Sequence, residues 1–387
     1  MNIGIDARNV TDKSSGLVGY VKNLVYELSK LSGLEIFVFS QAKYKHVFNS
    51  LERNKNFHIK SVYFNNKFLD FRNFLYEQLQ FHRVINKCDL DIFHSPFGFG
   101  VPSKVKSKVV LTIHDLIPLS GHDQSSFIQL LIYRKSLRIA LDRADQIVTI
   151  SEFTKKELRK FYPGLNPEKV CTIYNGFDRI PNHFQIDKIF PRLKQEMNIN
   201  DKYILYVGSA VARKNLLNLT RAFAELKKKE KVNHKIVFVS KFDRDLTKRT
   251  YFQILHFLRS KNLENEAIFP PRYINDNERA ALMKHSEFVV YPSLYEGFGV
   301  PILEAMNLGK AVTCSDISVF HELYKDSVFY FNPENYKSIY LALSKLVQDE
   351  KLRHSLALSG FELQKNFSWE KMAEEYMDIY RSLHNES

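Results

Sequence analysis

Tyr203-Ile204-Leu205-Tyr206-Val207-Gly208-Ser209-Ala210-Val211-Ala212-Arg213-Lys214-Asn215-Leu216 begins as an apolar run of strand length, turns on small residues and ends in two cations before a helical pattern. A polar, proline-containing stretch near residues 179–200 precedes it. On the N-terminal side of that stretch, apolar runs at 2–7, 35–40, 91–94, 108–114, 146–151 and 170–174 alternate with helical patterns. On the C-terminal side the rhythm restarts at 203–208 and continues at 235–239, 267–270, 287–291, 311–314 and 327–331. Strand–helix alternation specifies parallel sheets with crossover helices, and the restart specifies two of them. The predicted fold is α/β: two doubly wound, Rossmann-like domains, residues 1–180 and 190–367, facing each other across a cleft. A last helical pattern over 368–387, with Trp369 and Tyr376, is expected to pack back near the first domain.

Size and composition agree with this division. The chain has 387 residues, too many for one ordinary core, and is 44% hydrophobic and 26% charged, as in a globular protein. No window approaches the roughly 20 uninterrupted apolar residues of a membrane span. The start, Met1-Asn2-Ile3-Gly4-Ile5-Asp6, reads as a first strand and not as a signal peptide. Cys88, Cys171 and Cys314 are odd in number and far apart, which fits buried thiols in a reducing cytoplasm. A net charge of +13 points to an anionic partner: nucleic acid, an anionic membrane surface or a phosphorylated ligand. Zinc-ligand spacings, RNP-type aromatic motifs and a basic arm are absent, so no nucleic acid is expected.

In doubly wound sheets, ligands bind beyond the C-terminal ends of the strands. The densest candidate there is Tyr291-Pro-Ser-Leu-Tyr-Glu296-Gly-Phe298-Gly299-Val300-Pro-Ile-Leu-Glu304-Ala-Met306. A strand ends at Pro292, a loop carries Glu296 and two glycines, and Pro301 suits the first turn of a helix that Gly309 would stop. Glycines let backbone approach a ligand, and free amides at a helix start favour anions. Glu296 and Glu304 can face one pocket, where carboxylates accept hydrogen bonds from vicinal hydroxyls. Two acids alone would read as a loop charge and a solvated helix position; the register of Gly297, Gly299 and Pro301 turns them into a site.

Glu296-x7-Glu304 inside Glu-Gly-Phe-Gly-x-Pro-x-x-Glu-Ala resembles the signature of the retaining GT-B glycosyltransferases of family GT4, and further landmarks follow in order over nearly the whole chain. The resemblance implies a nucleotide-sugar donor held by the second domain and an acceptor on the side of the first. It gives Glu296 to the donor sugar, Glu304 to the nucleotide ribose, and the loop amides of Phe298, Gly299 and Val300 to sugar hydroxyls and phosphate. Arg213 and Lys214, past a strand end, suit a diphosphate: Arg offers a fork, Lys a point charge. The family's Arg-Lys-Asn pattern agrees with that assignment. Such fixed cations supply the counter-charge a divalent ion otherwise brings, so no metal and no cofactor are expected. Of the two Asp-x-Asp pairs, Asp89–Asp91 starts a strand and Asp243–Asp245 sits among cations, so neither reads as a metal site.

His114 and Asp115 follow the apolar run Val109–Ile113 and so stand at another strand end. Similar pairs in the family line the sugar end of the cleft, where the histidine contacts the donor sugar or positions the acceptor. Gly16 and Gly19 are expected in a loop closing over donor phosphate or acceptor. The family shows Gly-Gly-x-Gly followed by an arginine, whereas this chain has Ser15-Gly16-Leu17-Val18-Gly19-Tyr20, so the arginine's phosphate role has no counterpart. Ser151-Glu-Phe-Thr matches a family segment and reads as a helix cap. Asn175-Gly176-x-Asp178 matches a family turn near the hinge.

Residues 66–87 have a helical pattern with Phe68, Phe71, Leu75 and Leu79 on one face and Lys67, Arg72, Arg83 and Lys87 nearby. Two readings stand: a face for an anionic membrane surface, or a core-facing crossover helix. The expected activity is a retaining hexosyltransferase, GDP-sugar before UDP-sugar, with a glycan or lipid-linked acceptor in O-antigen- or capsule-type synthesis. It would be cytoplasmic or peripheral on the inner face of the cytoplasmic membrane. The alternatives are a GT-B epimerase or phosphorylase and a non-catalytic nucleotide-sugar-binding module. A nicotinamide oxidoreductase is disfavoured because no Gly-x-Gly-x-x-Gly follows a strand.

Overall fold

In a computed structural model of the chain, the described residues are 1–11, 16–51, 54–64, 70–122, 125–179, 183–243 and 245–385. Two units result: Met1–Gly176 together with Phe367–Ser387, and Phe177–Asn366. The first holds a seven-stranded sheet of β1 (Asn2–Asp6), β2 (Glu35–Ser40), β3 (Phe57–Ser61), β4 (Ile92–Ser95), β5 (Lys108–Ile113), β6 (Gln146–Thr149) and β7 (Val170–Thr172). Their order is β3-β2-β1-β4-β5-β6-β7, with every neighbouring pair parallel. Ile3, Ile5, Val38, Ile92, Val109 to Leu111 and Val148 are fully buried, as a parallel sheet covered on both faces requires.

The second unit repeats the plan with six strands: β8 (Tyr203–Val207), β9 (Lys235–Val239), β10 (Ala267–Ile268), β11 (Phe288–Tyr291), β12 (Val312–Ser315) and β13 (Phe329–Phe331). The order is β10-β9-β8-β11-β12-β13, again all parallel. The α/β expectation of two Rossmann-like sheets is met. In each sheet the order reverses once, at β1/β4 and at β8/β11, and a crevice opens where the two following loops diverge.

The first sheet has a strand beyond those expected from apolar runs. β3 lies at its edge, where only one neighbour constrains it, and its sequence Phe-His-Ile-Lys-Ser alternates apolar and polar residues. Of the thiols expected to be buried, Cys314 is buried, while Cys88, at the end of a short 3-10 turn (Asn86–Cys88), and Cys171 are half-buried.

The C-terminal helix Trp369–Asn385 belongs to the first unit and buries Met372, Tyr376, Met377 and Tyr380 in its core. Tyr380 OH meets His94 Nδ1 at 2.6 Å, His94 Nε2 meets Thr112 Oγ1 at 2.7 Å, and Tyr376 OH joins Thr112 Oγ1 at 2.7 Å. Tyr20 OH donates to Tyr376 OH at 2.6 Å. Gly176 is required here, because a Cβ would stand 2.2 Å from the Trp369 nitrogen.

Candidate functional site

The strand-order reversal of the second sheet decides which loops meet. After β8 the chain runs through Gly208 into a 3-10 turn, Ala212–Lys214, and Asn215 adopts left-handed φ of 58° before the helix Leu216–Glu230. Arg213 and Lys214 therefore sit in a tight turn ahead of the helix, one step earlier than a helix start. After β11 comes the loop with Glu296. The backbone N–H of Leu294 donates to Arg213 O at 2.8 Å, tying the two loops together.

On that frame Arg213 Nη1 donates to Glu296 Oε2 at 3.0 Å and to Tyr295 O at 3.1 Å, while Lys214 Nζ donates to Glu296 Oε1. Glu296 is 9% exposed. Burial pushes its carboxyl up, and Lys214 and Arg213 more than offset this, so it lies below the ordinary carboxylate range. Two cations against one acid leave a surplus positive charge beyond the strand ends, a setting that favours a polyphosphate.

Gly299 has φ of +100° and caps the helix Val300–Asn307, with Pro301 in its first turn. A Cβ there would come within 2.8 Å of Phe320 and 3.0 Å of Tyr324 OH, so both conformation and space demand glycine. Tyr324 OH reaches the carbonyls of Gly299 (2.8 Å) and Phe298 (3.0 Å), which fixes the loop. Gly309, at φ +66°, follows the helix as expected.

Glu304 lies one turn into this helix and is 7% exposed. Arg279 Nη2 donates to its Oε1 at 3.1 Å, while Oε2 is buried with no hydrogen-bond partner among the described residues. Burial raises the Glu304 carboxyl and Arg279 offsets only part of that. A cavity of about 140 Å³, lined by Asp178, Arg179, Asp276, Asn277, Arg279 and Glu304, adjoins it. A buried lone pair beside a cavity suits a ligand hydroxyl. The two acids thus have separate cationic partners, where the sequence reading put both toward one pocket.

Sequence reasoning missed Arg279. Its signal was there: Asn275-x-x-Glu278 is a capping box that starts the helix Asp276–Lys284 beyond β10, and Arg279 falls one turn in. A wider concavity of about 690 Å³ runs beside the helix Leu216–Glu230, with Lys227 and Lys228 from its last turn. Lys227 there already serves Val232 O and His234 O.

In the first unit, His114 and Asp115 follow β5 as expected. His114 Nε2 lies 2.9 Å from Pro96 O, and the ring stands edge-on to Tyr20 with centroids 4.6 Å apart. Burial lowers its pKa to about 4, so it is neutral near pH 7, with Nε2 donating to the carbonyl and Nδ1 left as acceptor. Asp115 shapes the next turn, accepting from Ile117 N at 3.0 Å. Ser151 caps the helix Glu152–Phe161, as its sequence indicated. Gly16 and Gly19 correct the sequence reading: they lie in the first turn of the helix Gly16–Leu28, not in a loop, because the apolar spacing of Val18, Val21, Leu24, Val25 and Leu28 carries the helix back to them. Residues 12–15 lie outside the described residues.

Residues 187–362 match the family described as glycosyl transferases group 1, and residues 14–179 match glycosyltransferase family 4. An O-antigen chain mannosyltransferase B from Escherichia coli is 26% identical over 76% of this chain and 74% of its own length. An O-antigen chain mannosyltransferase from Salmonella typhimurium is 29% identical over 62% of this chain and 60% of its own. A sucrose-phosphate synthase from Thermosynechococcus elongatus superposes with a TM-score of 0.76 at 19% identity, covering 100% of each chain. That likeness shows the GT-B fold alone. With both halves matched, each to a glycosyltransferase family, the chain belongs to the group 1, family 4 glycosyltransferases.

Proposed function

We propose that the chain is a retaining, metal- and cofactor-independent hexosyltransferase. Its donor would be a nucleotide-sugar, a GDP-sugar such as GDP-mannose before a UDP-sugar. Its acceptor would be a lipid-linked or polysaccharide glycan in O-antigen- or capsule-type synthesis, worked on at the inner face of the cytoplasmic membrane. The observation that carries the reading is the meeting of Arg213, Lys214 and Glu296 at the β8/β11 reversal. As the bond from anomeric carbon to phosphate oxygen breaks, charge builds on the diphosphate, and fixed cations there stabilise it more than the ground state.

In this assignment Glu296 orients the donor sugar, and Glu304 accepts from ribose through its unpartnered Oε2. The amides of Phe298, Gly299 and Val300 take sugar hydroxyls or phosphate. The helix start at Gly16 and Gly19 serves donor phosphate or acceptor, and His114, with Asp115 shaping its turn, meets a sugar hydroxyl. The acceptor oxygen bonds to the anomeric carbon on the face the phosphate leaves, and the departing phosphate oxygen takes the acceptor's proton. The names of the O-antigen mannosyltransferase relatives support the sugar and the acceptor class. Donor turnover with EDTA present tests the reading: continued turnover is expected, whereas tight donor binding without turnover would indicate a binding module.

A further inference from the structure

One crossover segment of the first unit buries apolar Phe81 and Ile85 inward and yet also turns large apolar side chains outward. The segment from Phe71 runs as an α-helix to Tyr76, a π-helical turn over Glu77–Phe81 and a last turn to Ile85. Its inward side carries polar Asn73 and Glu77, each 4% exposed, and Arg8 Nη1 donates to Glu77 Oε1 at 3.2 Å. Its outward side carries Phe71, Leu75 and Leu79, at 59%, 39% and 58% exposure. Phe68, which the sequence pattern put on the same face, lies outside the described residues.

The helix Phe127–Arg143 packs beside this segment: Lys135 Nζ stands 5.4 Å from the Phe74 ring centre, and Ile132 and Ser136 line a small cavity with Asn73 and Glu77. Its first turns expose Phe127 (73%), Ile128 (68%) and Leu131 (48%). Single exposed apolar side chains are ordinary, whereas here six stand exposed on two helical segments that pack against each other. Arg72, Arg134, Lys135 and Arg138 are exposed on the same two segments, against Asp142, which Arg138 pairs at 3.0 Å. Apolar side chains among cations complement an anionic bilayer, whose acyl boundary takes the first and whose phosphates take the second.

We propose that these two helices form one docking face for an anionic membrane leaflet, with Phe71, Leu75, Leu79, Phe127, Ile128 and Leu131 entering the headgroup–acyl boundary. The proposal deepens the lipid-linked reading of the acceptor and rests on it. It adds the helix at 127–143 to the segment that sequence pattern alone indicated.

Sedimentation of the full chain with phosphatidylglycerol/phosphatidylcholine vesicles, against pure phosphatidylcholine, tests it. Wild type is expected on the anionic vesicles, with partitioning reduced about tenfold by Phe127→Ser/Ile128→Ser and weakened by Arg134→Gln/Lys135→Gln and by salt. These exposed positions should leave the fold intact by circular dichroism and donor turnover without vesicles unchanged. Equal partitioning of wild type and Phe127→Ser/Ile128→Ser overturns the proposal, as does wild type that ignores anionic vesicles. A wild-type dimer in light scattering, dissolved by the same variant without any vesicle effect, would assign the face to a second copy and also overturn it. Absent donor turnover in wild type would refute the transferase reading, while the vesicle comparison still decides this face.

Discussion

Glu304 is pulled two ways. Burial favours its neutral form, and Arg279 at 3.1 Å only partly restores the carboxylate, with Oε2 left bare beside a cavity. A ligand hydroxyl at Oε2 would supply the missing hydrogen bond. Glu304→Ala is therefore expected to weaken donor binding by about 1–3 kcal/mol, the worth of a hydrogen bond to a buried charged group, with a smaller effect on turnover. Titration calorimetry with the donor checks this; an unchanged dissociation constant would remove Glu304 from the site. Glu304 and Glu296 were legible in sequence because glycines and a helix-starting proline punctuate the stretch between them. For Arg279 the capping box at Asn275 was legible but the partner was not, since pairing with Glu304 depends on how a helix 25 residues away is placed.

At the scale of elements, the C-terminal helix is held to the first sheet through His94, which is fully buried between Tyr380 and Thr112. Burial, with a smaller contribution from His114, lowers the His94 pKa to about 3 from the ordinary 6.5. Below pH 6.5 the unfolded chain therefore binds a proton that the folded chain refuses, so stability falls as the pH drops toward 3. Between pH 6.5 and 4.5 this one group should cost about 2 kcal/mol of unfolding free energy. Urea unfolding at the two pH values is expected to show that much less acid sensitivity in His94→Gln; equal sensitivity would mean His94 is not held neutral. The tail helix itself was legible from its spacing, as were the strands with uninterrupted apolar runs. Edge strand β3 was hidden by its alternation, and the helix start at Gly16 by glycines that mimic a loop.

For the whole molecule, the restart of the strand rhythm at Tyr203 carried the fold, because each sheet needs its own set of buried parallel strands. Topology then did what no motif spacing could: the reversal at β8/β11 brings Arg213 and Lys214 onto Glu296, some 80 residues later in the chain. The net charge of +13 indicated an anionic partner but could not say where; the fold sets one cation pair at the β8/β11 reversal and leaves Arg72, Arg134 and Arg138 exposed on the two helical segments of the proposed docking face. The most direct measurement is turnover of a nucleotide-sugar by wild type and Arg213→Ala, both in EDTA. A loss of roughly 10²–10³ in kcat is expected from removing one charge-assisted contact to a developing anion. A variant within a few-fold of wild type would contradict the cation clamp.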